Sequence, residues 1–416
     1  MPATEPYIEY ALWFSSKAKY FHRAAKTNFD ALKYAYAVTF AAEAIEFAGK
    51  AILEFMKETY SYDHVATGPL INLAAKHPSI STELTKLALS CGKWCDTVRD
   101  LSRYGGQTAK VSAPRIFDKK KYAEDAIAEV KEACSFLSRI ETAIKMTHPI
   151  KIGILSGCVE LDSNEKPCSE YVFTDQKFDW KGRLAEITDG GHQRFDIQSL
   201  DASKIDNTYA VIINPFGEVY PEKDLKRRPV FEAIREYIAE GGIFVNVAGW
   251  AFYYAWDVNE GKKQPVFLDK FYFPAELRLR SGKASVKLQE FYPLASSLLW
   301  SEFECTTTYG QVEPQPVEIT QTEEDKRRSG DLSRIGSANF VREFRSLTSK
   351  NCIPLCRANR EDFGEVYPIG AIRFGYGYLL VAGIEMDETG FQKVVTSIDS
   401  FCKWLQKEEA GVNLSG

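Results

Sequence analysis

The stretch DALKYAYAVTFAAEAIEFAGKAILEFMKE, residues 30–58, holds no proline and is rich in alanine. Ala37, Phe40, Ala41, Ala44, Ile45, Ala48, Ile52 and Phe55 recur at steps of three and four residues. That period puts them on one stripe of an α-helix, and a stripe that wide and apolar has to be buried. The surrounding sequence has the same texture. SSKAKYFHRAAKTNF (15–29) reads as a shorter helix, with Asn28 and Asp30 as turn or cap residues. YSYDHVATGPLINLAAKHP (60–78) is a loop with one short helix, closed by Pro78. SISTELTKLALSCGKWCDTVRDLSRYGG (79–106) is a helix capped by Ser81 or Thr82 and stopped at Gly105-Gly106. DKKKYAEDAIAEVKEACSFLSRIETAIK (118–145) is a long amphipathic helix with Asp118 as its cap. Helices joined by short connections predict an antiparallel bundle over residues 1–148.

The period changes at THPIKIGILSG. Pro149 ends the last helix, and Lys151–Leu155 is a short apolar run closed by Ser156-Gly157, a buried strand and a turn. A helix around Trp180–Thr188, a strand in QRFDIQSLD and the wholly apolar strand YAVIINP (209–215) follow. RRPVFEAIREYIAEGG is a helix with proline at its start and a glycine pair at its end, and IFVNVAG (243–249) is the next strand. Strands alternating with helices predict a parallel α/β sheet over residues 149–416. Residues 261–364, richer in charge and turn residues, read as a large insertion. The fold class is therefore α plus α/β, in two domains.

At 416 residues the chain has ample apolar material (45% hydrophobic) for two cores without disulfide or metal staples. A net charge of −5 supplies no global attraction to nucleic acid or anionic membranes, so a nucleic-acid contact needs a local patch. No apolar run reaches membrane-spanning length and MPATEPYIEY lacks a signal-peptide layout, which makes the cytoplasm the expected location. Nine cysteines lack a disulfide rhythm; Cys91 and Cys95, like Cys352 and Cys356, are four apart, with no nearby histidine or CxxC partner for zinc. Neither GxGxxG nor a Walker lysine loop is present, so no cofactor and no metal is expected. The basic stretches 224–229, 277–283 and 323–345 read first as solvated surface and second as phosphate contacts.

AAEAIEFAGKAIL (41–53), His64 after the loop and a helix ending in Arg103-Tyr104 resemble the HEPN domain in order and spacing, over the first third of the chain. The resemblance implies a homodimer and, in many members, a metal-independent ribonuclease built on Arg and His in an R-x4–6-H motif. Here no histidine lies four to six residues beyond Arg99 or Arg103. The groove positions that match are Glu46, Lys50, His64 and Arg103. Glu46 and Lys50, four apart, also fit a plain helix-surface ion pair, and His64 fits a loop-to-helix packing residue.

Residues 149–260 and 365–407 are similar to the class I glutamine amidotransferase-like, flavodoxin-like fold. That resemblance implies a nucleophilic cysteine in a GxCxG turn and a late histidine. The matching frame Val245–Gly249 has Val247 at the nucleophile position, and AGIEMDE (382–388) has no histidine. What the resemblance leaves is a pocket at the carboxyl ends of the strands, edged by Asn214, Glu218, Gly249, Trp250 and Glu385. Trp250 either stacks a base or sugar or packs beside Phe252 and Tyr253.

The leading expectation is a binding or sensing protein without catalytic residues: a helical module for dimerisation and RNA or nucleotide contact, plus a degenerate ligand pocket. By resemblance its context is prokaryotic stress or antiviral defence. Three alternatives stay open: a ribonuclease using Arg103 with His64 or His22, a hydrolase using Glu218 and Glu385, and a structural subunit bound to a partner protein. FGEVYP occurs at 216–221 and 363–368. The first copy is expected to leave a strand for a helix, with Glu218 over the pocket. The second is expected to lead into a strand.

Overall fold

The computed structural model describes residues 6–60, 66–104, 112–117, 119–147, 149–157, 178–217, 219–248, 251–252, 254–259, 262–265, 276–277, 308–311, 316–339, 342–344, 352–360 and 364–409. It divides into two compact units, Met1–Ile144 with Lys407–Gly416, and Lys145–Gln406.

In the first unit α1 (Pro6–Asp30) and α2 (Tyr34–Phe55) form the main helical hairpin. Ala37, Ala41, Ala44, Ile45, Ala48 and Ile52 are all completely buried, so the alanine stripe is the core. Phe40 is only half-buried and stacks on Phe21 of α1 with ring centroids 5.9 Å apart. The helix over 15–29 is longer than its sequence suggests, and Asn28 and Asp30 do not cap it. Asn28 Nδ2 donates back to the Ala24 carbonyl at 2.9 Å. The turn is instead a Schellman motif: Lys33 N–H donates to Asn28 O (2.7 Å), Leu32 N–H donates to Phe29 O (2.9 Å), and Leu32 takes φ 58°. α2 ends the same way at Lys57, φ 56°. Both helices stop on left-handed non-glycine residues, which no sequence rule of thumb picks out.

α3 (Thr67–Lys76) leads to α4 (Ser81–Ser90), which runs through a π-helical segment, Cys91–Val98, into α5 (Arg99–Tyr104). Ser81 opens α4 without a side-chain cap: the cap position is Ile80. Asp118 and Gly105-Gly106 lie outside the described residues. α6 (Lys120–Lys145) completes the unit. It is tied to α1 by a buried cluster in which Lys19 Nζ (2.7 Å) and Ser15 Oγ (2.5 Å) both donate to Glu141 Oε2.

The second unit is a mixed sheet with helices on both faces. Its parallel strands are β1 (Ile150–Ser156), β2 (Phe195–Asp201), β3 (Val211–Asn214), β5 (Ile243–Val247) and β10 (Gly377–Ala382), in the spatial order β2-β1-β3-β5-β10. The antiparallel strands β9 (Gly364–Phe374) and β8 (Cys352–Arg360) extend it beyond β10. β8 belongs to the stretch read as an insertion, so part of that stretch is continuous with the main sheet. A separate three-stranded sheet is made by β4 (Val219–Glu222), β6 (Tyr254–Asp257) and β7 (Lys262–Pro265).

Period-two alternation splits the core cleanly. Ile152, Ile197, Ile213, Val245 and Leu380 pack on one face with α7 (Trp180–Ala185) and α9 (Glu388–Trp404). Leu155, Leu200, Ile212, Phe244 and Val381 pack on the other with α8 (Pro229–Ala239), β4 and β6. α8 closes on the expected glycine pair, Gly242 N–H donating to Tyr237 O at 2.9 Å across Gly241, φ 117°.

Candidate functional site

In the helical unit the site begins with two i, i+4 pairs on helices that run antiparallel. Glu46 and Lys50 lie on α2, and Arg99 and Arg103 on α5. The π segment ahead of α5 turns Cys91, Cys95 and Arg99 all toward α2. Cys91 Sγ faces Ile45 O at 3.9 Å, Cys95 Sγ donates to Ala42 O at 3.3 Å, and Ser102 meets Thr39 at 2.9 Å. Each carboxylate then receives a cation. Glu46 Oε1 accepts from Lys50 Nζ at 2.7 Å and Oε2 from Arg99 Nη1 at 2.8 Å, and all three residues are buried. Glu43, one turn earlier, takes Arg103. Arg103 keeps 35% of its side chain exposed, against 9% for Arg99 and 7% for Lys50, so it is the cation of this cluster that solvent reaches.

The structure therefore brings Glu46, Lys50 and Arg103 into one neighbourhood and adds Arg99 and Glu43, which the sequence reading left out. A signal existed: Arg99 is four residues before Arg103, and Glu43 is three before Glu46. His64 lies outside the described residues. His22 is buried on α1, along the stripe of Ser15 and Lys19 whose contacts run to α6. The Cys95 thiol is pushed up, first by its hydrogen bond with Cys91 and then by burial, which holds it as a thiol rather than the thiolate a metal needs. Among the described residues no cluster of His, Cys, Asp and Glu is arranged to hold a metal, and no helix is long and apolar enough to cross a membrane.

In the α/β unit the carboxyl ends of β3 and β5 meet at a buried amide pair. Asn214 Nδ2 donates to Asn246 Oδ1 (2.8 Å) and to Val219 O (2.9 Å), while its Oδ1 accepts from Phe216 N–H (3.3 Å). Both asparagines are fully buried. Asn214, read from the sequence as a pocket residue, is thus buried and fastens the turn after β3. Asn246, an amide inside the apolar strand IFVNV, is the partner that sequence reasoning passed over. The turn after β5 carries backbone strain at Ala248, φ 52°, whereas Val247, the residue at the nucleophile position of the resemblance, is buried in the core. Gly217, φ 70°, sits against this turn: a Cβ there would stand 3.3 Å from Ala248 O. Glu218, Gly249 and Trp250 lie outside the described residues. Glu385 is half-buried just beyond β10.

The first FGEVYP copy leaves β3, but it enters the strand β4 before any helix, so the direct strand-to-helix connection is not what forms. Glu222, the residue after it, is fully buried and accepts backbone N–H donors from Lys223 and Asp224 and, at the start of α8, from Val230 and Phe231. Burial raises its pKa against the pull of those donors. The N-terminus of α8, a natural seat for an anion, is filled by the chain's own carboxylate. The second copy does lead into a strand, β9, where Glu365 accepts from Arg357 Nη1 (2.9 Å) and from the Tyr367 hydroxyl (2.7 Å).

A search of curated proteins found no match. Solved structures with some likeness include a catalytic mutant of a β-galactosidase from G. stearothermophilus (10% identity, TM-score 0.31, 66% of this chain and 34% of that one). A β-galactosidase from Rahnella sp. R3 gives 13% identity and a TM-score of 0.32, over 68% of this chain and 35% of that one. A cytoplasmic protein from Salmonella typhimurium LT2 gives 10% and 0.30, over 63% of this chain and 99% of that one. The chain spans about a third of the length of the two galactosidases, and similarity at this level carries no argument. The family comparison is specific: the HEPN domain model matches residues 11–140, the stretch that builds α1 to α6, and the N-terminal region carries a HEPN domain.

Proposed function

We propose that the protein is a non-catalytic binding or sensing protein of prokaryotic stress or antiviral defence. On this reading a HEPN module (1–148) dimerises and contacts RNA or a nucleotide. A degenerate amidotransferase-like domain (149–416) supplies a ligand pocket edged by Asn214, Glu218, Gly249, Trp250 and Glu385. A HEPN domain is consistent with nucleic-acid-related or defence roles. The parallel order β2-β1-β3-β5-β10, second-first-third-fourth-fifth along the chain, supports the flavodoxin-like reading of the second domain.

The observation that carries the proposal is the disposition of the α2/α5 cations. Arg99 and Lys50 are spent inside on Glu46, and Arg103 alone reaches solvent. A general base must stand within hydrogen-bond reach of the proton it takes. The buried His22 aligns with α6-facing residues instead, which favours contact over cleavage. A half-exposed arginine suits a phosphate oxygen.

The test is fluorescence anisotropy with labelled single-stranded RNA and thermal shift with nucleotides, run beside a cleavage gel. Binding weakened about tenfold by Arg103→Ala, without product bands, is expected. Cleavage lost in Arg103→Ala or His64→Ala would replace this reading with the ribonuclease. A protein that binds neither RNA nor any nucleotide would leave the structural-subunit reading in its place.

A further inference from the structure

Helix α1 carries two faces. Ala11, Ser15, Ala18, Lys19, His22 and Ala25 are buried against the rest of the unit. On the opposite side Tyr10, Trp13, Lys17, Tyr20 and Ala24 follow one another at steps of 3, 4, 3 and 4 residues. That is the spacing of a helix–helix seam with a 3.5-residue period, and the helix turns it outward: Tyr10 is 46%, Trp13 48% and Tyr20 55% exposed. The exposed rings are not scattered. Tyr10 packs on Trp13 (5.7 Å between centroids), Trp13 on Phe14 (5.0 Å) and on Phe47 of α2 (6.3 Å), and Tyr20 on Phe21 (5.4 Å). Tyr36, 60% exposed, extends the face one turn beyond Phe40.

We infer that this face is where two copies of the chain meet, α1 against α1 and antiparallel. The inference rests on the dimer reading proposed above and adds to it the surface and its register. Two features favour a second copy over other occupants. The first is area. Four aromatic side chains of about 200 Å² each, half exposed, offer roughly 400 Å². One partner's apolar share of a standard interface is close to that, at about 450–500 Å². The second is charge. A two-fold axis through Trp13 sets residue 13+k opposite residue 13−k of the partner, as an isologous contact requires. Glu9 and Lys17 stand symmetrically about Trp13, four residues to either side on the same face. The axis therefore pairs Glu9 of each copy with Lys17 of the other, twice, around a Trp13–Trp13 centre. A single-stranded nucleic-acid platform would also use aromatic rings, but it needs a run of cations along the backbone path. This seam matches its one lysine with a glutamate.

The experiment is sedimentation velocity on the full chain over a concentration series, with circular dichroism to verify helicity. Wild type is expected to be a dimer. Glu9→Lys and Lys17→Glu, each replacing two attractive pairs by two repulsive ones, are expected to weaken it by about tenfold or more. The double variant Glu9→Lys/Lys17→Glu should restore it, and Trp13→Glu with Tyr20→Glu should give a folded monomer. A wild-type dimer indifferent to Trp13→Glu/Tyr20→Glu would overturn this surface while leaving dimerisation standing. A double variant that stays as weak as the single ones would overturn the register. A wild-type monomer would overturn both this inference and the dimer reading beneath it. RNA binding lost in Trp13→Glu/Tyr20→Glu with the dimer intact would reassign the face to nucleic acid.

Discussion

Removing the Glu46 carboxylate tests how the HEPN core is built. Glu46 is 2% exposed and is shared by Lys50 and Arg99, themselves 6% and 8% exposed. Glu46→Ala removes the carboxylate that Lys50 and Arg99 share and leaves Arg99 with the solvent-exposed Asp100 carboxylate at 3.5 Å. Breaking a buried pair from one side costs about 3–5 kcal/mol, because the surviving charge is stranded away from water. Arg99 keeps Asp100, so the middle of that range is expected. For a unit of this size each kcal/mol moves the melting point by about 3 °C, so the helical transition should fall by about 10–15 °C. Replacing the whole cluster has the opposite logic. Glu46→Leu with Lys50→Met and Arg99→Met removes all three buried charges together, and apolar replacement of a buried ionic group is commonly neutral or stabilising. That triple variant should melt within about 5 °C of wild type. Arg103→Ala is a graded comparison: Arg103 is partly solvated but its partner Glu43 is nearly buried, so the loss should be smaller than for Glu46→Ala, about 1–2 kcal/mol. The assay is differential scanning calorimetry of the full chain, with helical ellipticity used to assign the transition. The reasoning would be refuted by Glu46→Ala melting within about 2 °C of wild type, or by the triple variant melting as low as the single one.

The other expectations are simpler. Glu129 meets a burial cost that would raise its pKa, yet donors from Lys93, Ser90 and Trp94 hold it below the usual carboxylate value. A lowered folded-state pKa gives stability that is complete above the unfolded-state pKa and lost as pH falls through the folded one. Glu129→Gln should therefore destabilise the protein at neutral pH in urea titrations, and the gap should close in strong acid. Asn214→Ala removes the clamp on the turn after β3 and should cost about 2–3 kcal/mol. Hydrogen exchange should quicken at the Phe216 amide, which donates to the Asn214 side chain. Gly375→Ala should be worse than a normal glycine substitution, because φ is 65° and the new Cβ would stand 2.4 Å from Ala239 O. Loss of the α/β melting transition, with the helical one retained, would register it.

How much of this was legible in the sequence depends on which force decided each feature. The alanine stripe of α2 and the apolar strands VIIN and IFVNV could be read because burial writes its period directly into residue order. The glycine pair after α8 was legible because glycine is the usual left-handed cap. The ends of α1 and α2 were not, because Leu32 and Lys57 take that conformation under tertiary constraint. The π segment was invisible for a similar reason. Cys91, Cys95 and Arg99 keep plain four-residue spacing, and only the widened turn shows that all three face α2. In the site, Glu46 and Lys50 came from the HEPN resemblance, and their four-residue spacing suggested a surface ion pair, whereas the pair is buried. That Arg99 completes the pair from 53 residues away depends on how α5 lies against α2.

The two FGEVYP copies make the same point from the opposite direction. Identical residues, including a shared Val-Tyr-Pro, become β4 in one place and the first part of β9 in the other. Strand propensity is common to both, so it does not choose between them. What differs is the neighbour. Val219 and Tyr220 find β6 off the main sheet, and the strand then ends on Glu222, buried in the amides that open α8. Val366 pairs with Ala358 of β8 inside the main sheet, and Glu365 stays at the surface on Arg357. The residue that separates the copies in structure is thus the one just outside the repeat. In the first it is Glu222, a carboxylate driven into the interior to close a helix end. The Val230 and Phe231 amides that open α8 are thus already taken by a carboxylate of the same chain.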